Sequence, residues 1–323
     1  MTVNDSLLVT VLAQAVLYGT PLLYAALGEL LAERSGVLNL GVEGMMLFGA
    51  AVGYWVTQTV DGSPATVLTL AALAAAVGGA AMAAIHAFLT ITLRANQIVS
   101  GLALTIFAGG LGLSAYFGTE VGLADLAPKF QFASLDVLGL ADLPVLGPIL
   151  FDQSALVYAS WVVTLVVGLY LGRTRLGLNV RAVGEAPASA DAMGINVALY
   201  RYAHVLAGGA FAGVGGACYS LSITAGWTVG DTLVNGAGWI AIALVIFAFW
   251  RAELCLVGAY LFGALSALPF ALQARDVNIA PEFLYALPYV TTIVVLVVVS
   301  TGLAKRRLGA PAALGVPYVR EER

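Results

Sequence analysis

The stretch GELLAERSGVLNLGVEGMML, residues 28–47, lies between two strongly apolar blocks, yet it holds Glu29, Glu33, Arg34, Asn39 and Glu43, with glycines at 36, 41 and 44. It is either a loop joining two membrane spans or, in part, a break inside the membrane. Length bears on the choice. Met45–Thr59 is only 15 residues, and an untilted span needs about 20. The span therefore starts near Val37, or the residues before Met45 enter the membrane without helical structure. Glu43 then stands roughly two turns into the helix or at its start. A carboxylate at that depth costs about 3 kcal/mol on insertion scales and faces a bundle interior or an aqueous cavity. The competing reading is an acid at headgroup level, favoured by the helix macrodipole. Irregular backbone cannot face lipid, so a break must be buried in protein or line a cavity.

The rest of the chain supports a membrane setting. Of 323 residues, 61% are hydrophobic and 10% charged, with a mean hydropathy of +0.96; soluble domains carry about 25% charge. The apolar blocks are apolar on all faces, as membrane-spanning helices are. Polar alternation of the barrel type is absent. The fold class expected is an all-α polytopic membrane protein of about nine spans, near 7–28, 37–59, 65–92, 98–118, 154–172, 202–224, 237–250, 254–273 and 283–302. The transmembrane domain runs over 1–304 and a basic tail over 305–323. The N-terminus MTVNDSLL has no basic leader, so a cleaved signal is not expected.

Charge placement orients the spans. Arg173, Arg175, Arg181 and Arg201 mark the segment 173–201, and Lys305, Arg306, Arg307, Arg320 and Arg323 mark the tail. The positive-inside rule puts both in the cytoplasm, and the four spans between them are consistent with that. Segment 119–153, with five acids and only Lys129, is then extracytoplasmic. Glu29–Gly36 becomes a cytoplasmic turn carrying an exposed Glu33–Arg34 pair. Cys218 and Cys255 lie in apolar blocks and read as buried free thiols.

Glycines inside the spans, such as Gly49 with Gly53, Gly209 with Gly213, and Gly109, Gly110 and Gly112, suit close helix packing. No P-loop, zincin motif or Cys/His cluster is present. His86 and His204 read as packing residues. No cofactor is expected, and nucleic acid is not an expected partner. Transport is the default class. Within it, broken spans at matching positions of two halves point to a binding site. GVLNLGVEGMMLFGA at 36–50 has a counterpart in DTLVNGAGWIAIALVI at 231–246: each has an Asn, then close glycines, then a short apolar run. Their spans run in opposite directions, as an inverted repeat requires. The polar groups proposed for the pathway are Asn39, Glu43, Asn96, Gln97, Ser100 and Asn235. A rival reading is a secondary transporter using Glu43 as a proton site.

The segment RTRLGLNVRAVGEAPASADAMGINVALYRY at 173–202 holds a short surface helix. Pro187 suits its first turn and Gly194 its end. It docks on another protein or lies on anionic lipid.

Together, ERSGVLNLGVEGMMLFGA (33–50), ANQIVSGLALTIFAGGL (95–111), RAVGEAPASADAMGINV (181–197), GWIAIALVIFAFW (238–250) and APAALGVPYVREER (310–323) resemble permease subunits of ABC importers. The likeness is to the ribose and branched-chain amino acid permease family, in its simple-sugar and nucleoside branch. The resemblance implies a multi-pass protein of the prokaryotic inner membrane, a separate ABC ATPase, a second and different permease subunit, and a substrate-binding lipoprotein. It implies that 181–197 is the coupling loop, with Gly184, Glu185, Pro187, Ala188, Asp191, Met193 and Gly194 facing the ATPase, and that 37–50 is a discontinuous helix. The sequence departs from the family at Thr105, where a polar Asn is expected, and at Ala248, Trp250 and Ala252, in place of Gly-x-Trp-x-Pro. The first departure bears on the substrate. The second bears on the turn Arg251–Glu253.

Overall fold

The computed structural model describes residues 6–109, 112–228, 233–275, 279–300 and 309–320. Gly110, Asp231, Thr232, Lys305, Arg306, Arg307 and Arg323, named above, lie outside them.

Helix α1 (Leu7–Arg34) begins at Ser6, whose hydroxyl accepts the Val9 N–H. Its 28 residues extend about 42 Å at 1.5 Å each. Among the described residues, six stretches are long and apolar enough to cross a membrane. They are α1, α3 (Pro64–Ala87, continued by a wide turn to Thr92), the α4–α5 stretch, α6 (Ala155–Arg173), α9 (Val197–Cys218, continued to Ile223) and α11 (Ala252–Gln273). In the α4–α5 stretch, α4 (Gln97–Ala108) and α5 (Leu113–Thr119) are separate helices, interrupted after Gly109 ends α4 in extended backbone.

The other three expected spans coincide with helices that fall outside those six. These are α2 (Val42–Thr59, 18 residues), α10 (Ala237–Phe247, 11 residues) and α12 (Pro281–Ser300). Eleven helical residues rise only about 16 Å, half a bilayer core. The polar stretch 119–153 contains a small antiparallel pair, β1 (Ser134–Asp136) with β2 (Asp152–Ser154). Segment 173–201 holds two helices where one was expected: α7 (Arg175–Glu185) and α8 (Pro187–Ala192).

The core is built where α9 crosses α1, α2 and α3. Small residues bring the backbones together: a Cβ on Gly49 would lie 2.4 Å from Gly213 Cα, and one on Gly216 would lie 1.8 Å from Met46 O. In a membrane this close packing, rather than water exclusion, holds helices together. Val77, Ile106, Val162 and Leu165 are apolar and exposed on the outside, as a lipid-facing surface requires.

One expectation is corrected at once. Glu29–Gly36 is not a turn with an exposed ion pair. Helix α1 continues through Arg34, and Glu29 and Glu33 are each 1% exposed.

Candidate functional site

The decisive region is the non-helical segment between α1 and α2. Chain direction changes at Gly36 (φ +89°), where left-handed backbone favours glycine. The Val37 N–H still returns to Ala32 O at 3.2 Å, and Leu38 to Leu40 then run non-helically to Gly41, whose O accepts the first N–H bond of α2. Buried backbone must find partners, and here side chains from α1, α3 and α4, together with Asn39 of the segment itself, provide them.

The Leu38 N–H donates to Gln97 Oε1 at 2.7 Å, and the Asn39 N–H to Glu29 Oε1 at 2.9 Å. Leu38 O accepts from His86 Nε2 at 3.1 Å, and Leu40 O from Thr105 Oγ1 at 3.1 Å. The Gly41 N–H is taken by the Asn39 side-chain oxygen at 2.9 Å, an Asx turn. Ser100 pairs with His86 Nδ1 at 3.0 Å and so holds the ring on Leu38. Gly101 makes room, since a Cβ there would lie 2.6 Å from Leu40 N. The break is therefore enclosed by protein, with Asn39 1% and Glu43 4% exposed.

Glu43 connects the break to its counterpart. Its Oε1 accepts the Gly236 N–H at 2.9 Å and its Oε2 the Gly238 N–H at 2.6 Å. Asn235 (φ +51°) and Gly236 (φ +80°) turn the chain into α10, and Gly238 leaves space for Glu43, whose N lies 2.5 Å from a Cβ built there. One carboxylate thus sits in the first turn of α2 and on the first amides of α10. Both helix N-termini favour a negative charge there.

Beside this junction lies a cavity of about 390 Å³ between α1, the end of α9, α10, α11 and α12. Tyr18, Tyr219, Asn235, Ser266, Phe270 and Tyr289 are among its lining residues. The expected pathway residues therefore divide. Asn39, Glu43, Gln97 and Ser100 are brought together at the break, Asn235 reaches the cavity, and Asn96 does neither. Asn96 is exposed and caps α4, accepting the Val99 N–H at 3.1 Å. Sequence reasoning missed Glu29, His86 and Thr105 as partners of the break. Their signal was present as polar groups in apolar spans, but nothing in the chain order pairs them.

At the Arg34 end of α1, the turn after α10 holds Phe249 and Trp250 at φ +50° and +54°, a conformation unusual for bulky residues. It is clamped from α1. Trp250 Nε1 donates to Glu33, and Arg34 donates through Nη2 to Trp250 O at 2.8 Å. Nearby, α8 has Pro187 in its first turn and is followed by Gly194 (φ +84°), with the Ile195 N–H returning to Ala190 O. Ala188 and Met193 are exposed, Met193 at 82%, and Pro187 is half-buried. Gly184 is buried against Arg34 O. Glu185 and Asp191 are engaged by residues of the tail.

The family model for the permease component of branched-chain amino acid transport systems matches residues 11–296. The chain belongs to this permease family. Among similar proteins are the putative glucose ABC transporter permease TsgC13 of Haloferax volcanii, 42% identical over 94% of the permease and 95% of its own length, and the nucleoside ABC transporter permease NupC of Lactococcus lactis, 34% identical over 97% of each. The guanosine ABC transporter permease NupQ of Bacillus subtilis is 35% identical over 95% and 96%. No solved structure matches the permease. It is thus a multi-pass membrane subunit of an ABC transporter. ATP hydrolysis belongs to a partner subunit, and the family implies a substrate-binding partner as well.

Proposed function

We propose that the permease forms half of the pathway of an importer for nucleosides or simple sugars. It works by alternating access in the prokaryotic inner membrane with an ABC ATPase, a second and different permease subunit, and a substrate-binding lipoprotein. The observation that carries the substrate class is near-full-length similarity to glucose and nucleoside permeases. The cavity beside Asn235 suits it: tyrosine rings and hydroxyls, Ser266 and Asn235 offer stacking and hydrogen bonds without fixed charge, and its volume is in the range of small-molecule sites.

In this reading about nine spans cross or enter the bilayer, and α2 and α10 are half-helices of an inverted repeat. Their N-termini meeting on Glu43 support that relation. Segment 119–153 is extracytoplasmic, while 173–201 and the tail are cytoplasmic. Asn39, Glu43, Gln97 and Ser100 shape the break beside the pathway, Asn235 lines it, and Asn96 contributes by capping the helix that carries Gln97. The exposed side of α8, with Ala188 and Met193, meets the ATPase.

The test is uptake by proteoliposomes holding both permeases and the ATPase, with binding protein on the side that delivers substrate. Labelled guanosine, uridine and glucose are offered in turn. We expect accumulation of one class that requires both ATP and the binding protein. Accumulation driven by an imposed proton gradient without ATP would overturn the proposal in favour of a secondary transporter.

A further inference from the structure

The tail lies across the end of the molecule where α1 stops and α7 and α8 stand. On one side it holds the coupling segment. The Ala313 N–H donates to Gly184 O at 2.9 Å, the Ala312 N–H to Glu185 Oε2 at 3.2 Å and the Tyr318 hydroxyl to Asp191 Oδ2 at 2.9 Å. Arg320 Nε stands 3.1 Å from the same Asp191 oxygen. The Tyr318 ring packs with Val183, Ala190 and Val197.

On the other side the tail holds the start of the break. The Gly315 N–H donates to Gly36 O at 3.3 Å, and Arg34 Nη1 donates to Gly309 O at 3.3 Å. Arg201, 2% exposed, donates through Nη1 to Val316 O at 3.2 Å. Its Nη2 lies 3.0 Å from a Cβ built on Gly36.

This arrangement is asymmetric. Helix α7 touches α1 directly, with Gly184 against Arg34 O. Helix α8 bonds to the tail at Asp191, and the tail bonds to Gly36, the turn residue that leads into the break. We propose that residues 309–320 are a positioning strap that carries displacement of α8 to the segment 36–41. The strap does not touch substrate. It sets how far the break moves for a given movement of α8, and so how much transport follows each ATP. A bond network with one end on the moving helix and one on the pathway is the kind of contiguous link through which coupling travels. The inference rests on the reading that α8 docks on the ATPase, and its test separates the two.

The test uses the full complex in proteoliposomes, with ATP hydrolysis and uptake measured in the same preparation. The double variant Tyr318→Phe/Arg320→Ala removes both groups from Asp191 while keeping the ring in its packing. We expect transport per ATP hydrolysed to fall at least about five-fold while hydrolysis stays within about two-fold, the scale of a modest coupling energy. Replacing only Arg320 by Lys, which keeps a cation at Asp191, should retain most of the coupling.

A Met193→Cys probe, cross-linked to the ATPase in both backgrounds, reports docking. A cross-link in both with unchanged transport per ATP overturns the strap alone. Loss of the ATPase from the purified complex, or parallel loss of hydrolysis and uptake, makes the tail a structural staple and also overturns it. No cross-link even in the unaltered background overturns the docking reading, and the strap with it.

Discussion

Glu43 is a buried carboxylate whose two oxygens each take a backbone N–H from the start of α10. Such charge-assisted bonds contribute about 1.5–3 kcal/mol each, and an orphaned buried donor costs about 1–3 kcal/mol. Replacing Glu43 by Ala should therefore lower the stability of the purified complex by about 3 kcal/mol or more, read as a fall in midpoint on thermal unfolding in detergent. Glu43→Gln keeps one carbonyl acceptor but gives the other position an NH₂ facing a donor, so its loss should be intermediate. If Glu43 were a proton carrier, Glu43→Gln would abolish the pH dependence of uptake; pinned as it is, the profile should keep its shape. Glu29 shows the limit of reading residue by residue. Its place in the chain suggested a turn, and only the fold shows its carboxylate on the Asn39 N–H.

At the scale of the element, the break at 37–41 is stable because α1, α3 and α4 complete its hydrogen bonding. His86 and Gln97 grip the two sides of one residue, Leu38. His86→Leu and Gln97→Leu should each destabilise by about 1–3 kcal/mol through an unsatisfied backbone group. Because both act on the same segment, the double variant should depart from additivity by at least about 0.5 kcal/mol in a thermal-unfolding double-mutant cycle. Thr105 belongs to the same set. Where an Asn was expected, its hydroxyl meets Leu40 O, so this departure is met by a structural bond at the break. The existence of a discontinuity was legible from a 15-residue apolar run and its glycines. Its partners were not, since they lie 48 and 59 positions along the chain.

For the whole molecule, close backbone approach does the work that water exclusion does in soluble proteins. A Cβ on Gly216 would overlap Met46 O, and backbone cannot give way as the end of a side chain can. Gly216→Val should therefore abolish the monodisperse peak on size-exclusion chromatography in detergent. Ile106→Val, on the exposed outer surface, should leave that peak intact and change stability by less than about 0.5 kcal/mol.

By itself, the sequence determined the membrane class, the helical fold and the glycine-led packing, and it raised a break at Asn39–Gly44 as one of two readings; the structure places the non-helical residues at 37–41, with Val42–Gly44 already in α2. These follow from composition, span length and local backbone preference, all readable within a window of residues. Its motifs, spread along the chain, also carried the permease family. Tertiary structure alone decided that α1 continues through Glu33, that the fourth span divides into α4 and α5, that Glu43 closes on α10, and that the tail binds both Gly36 and Asp191. The closure on Glu43 and the bonds of the tail depend on polar groups far apart in the chain, which only helix packing brings together. A buried N–H or C=O must be satisfied, and which partner does so depends on how the helices pack.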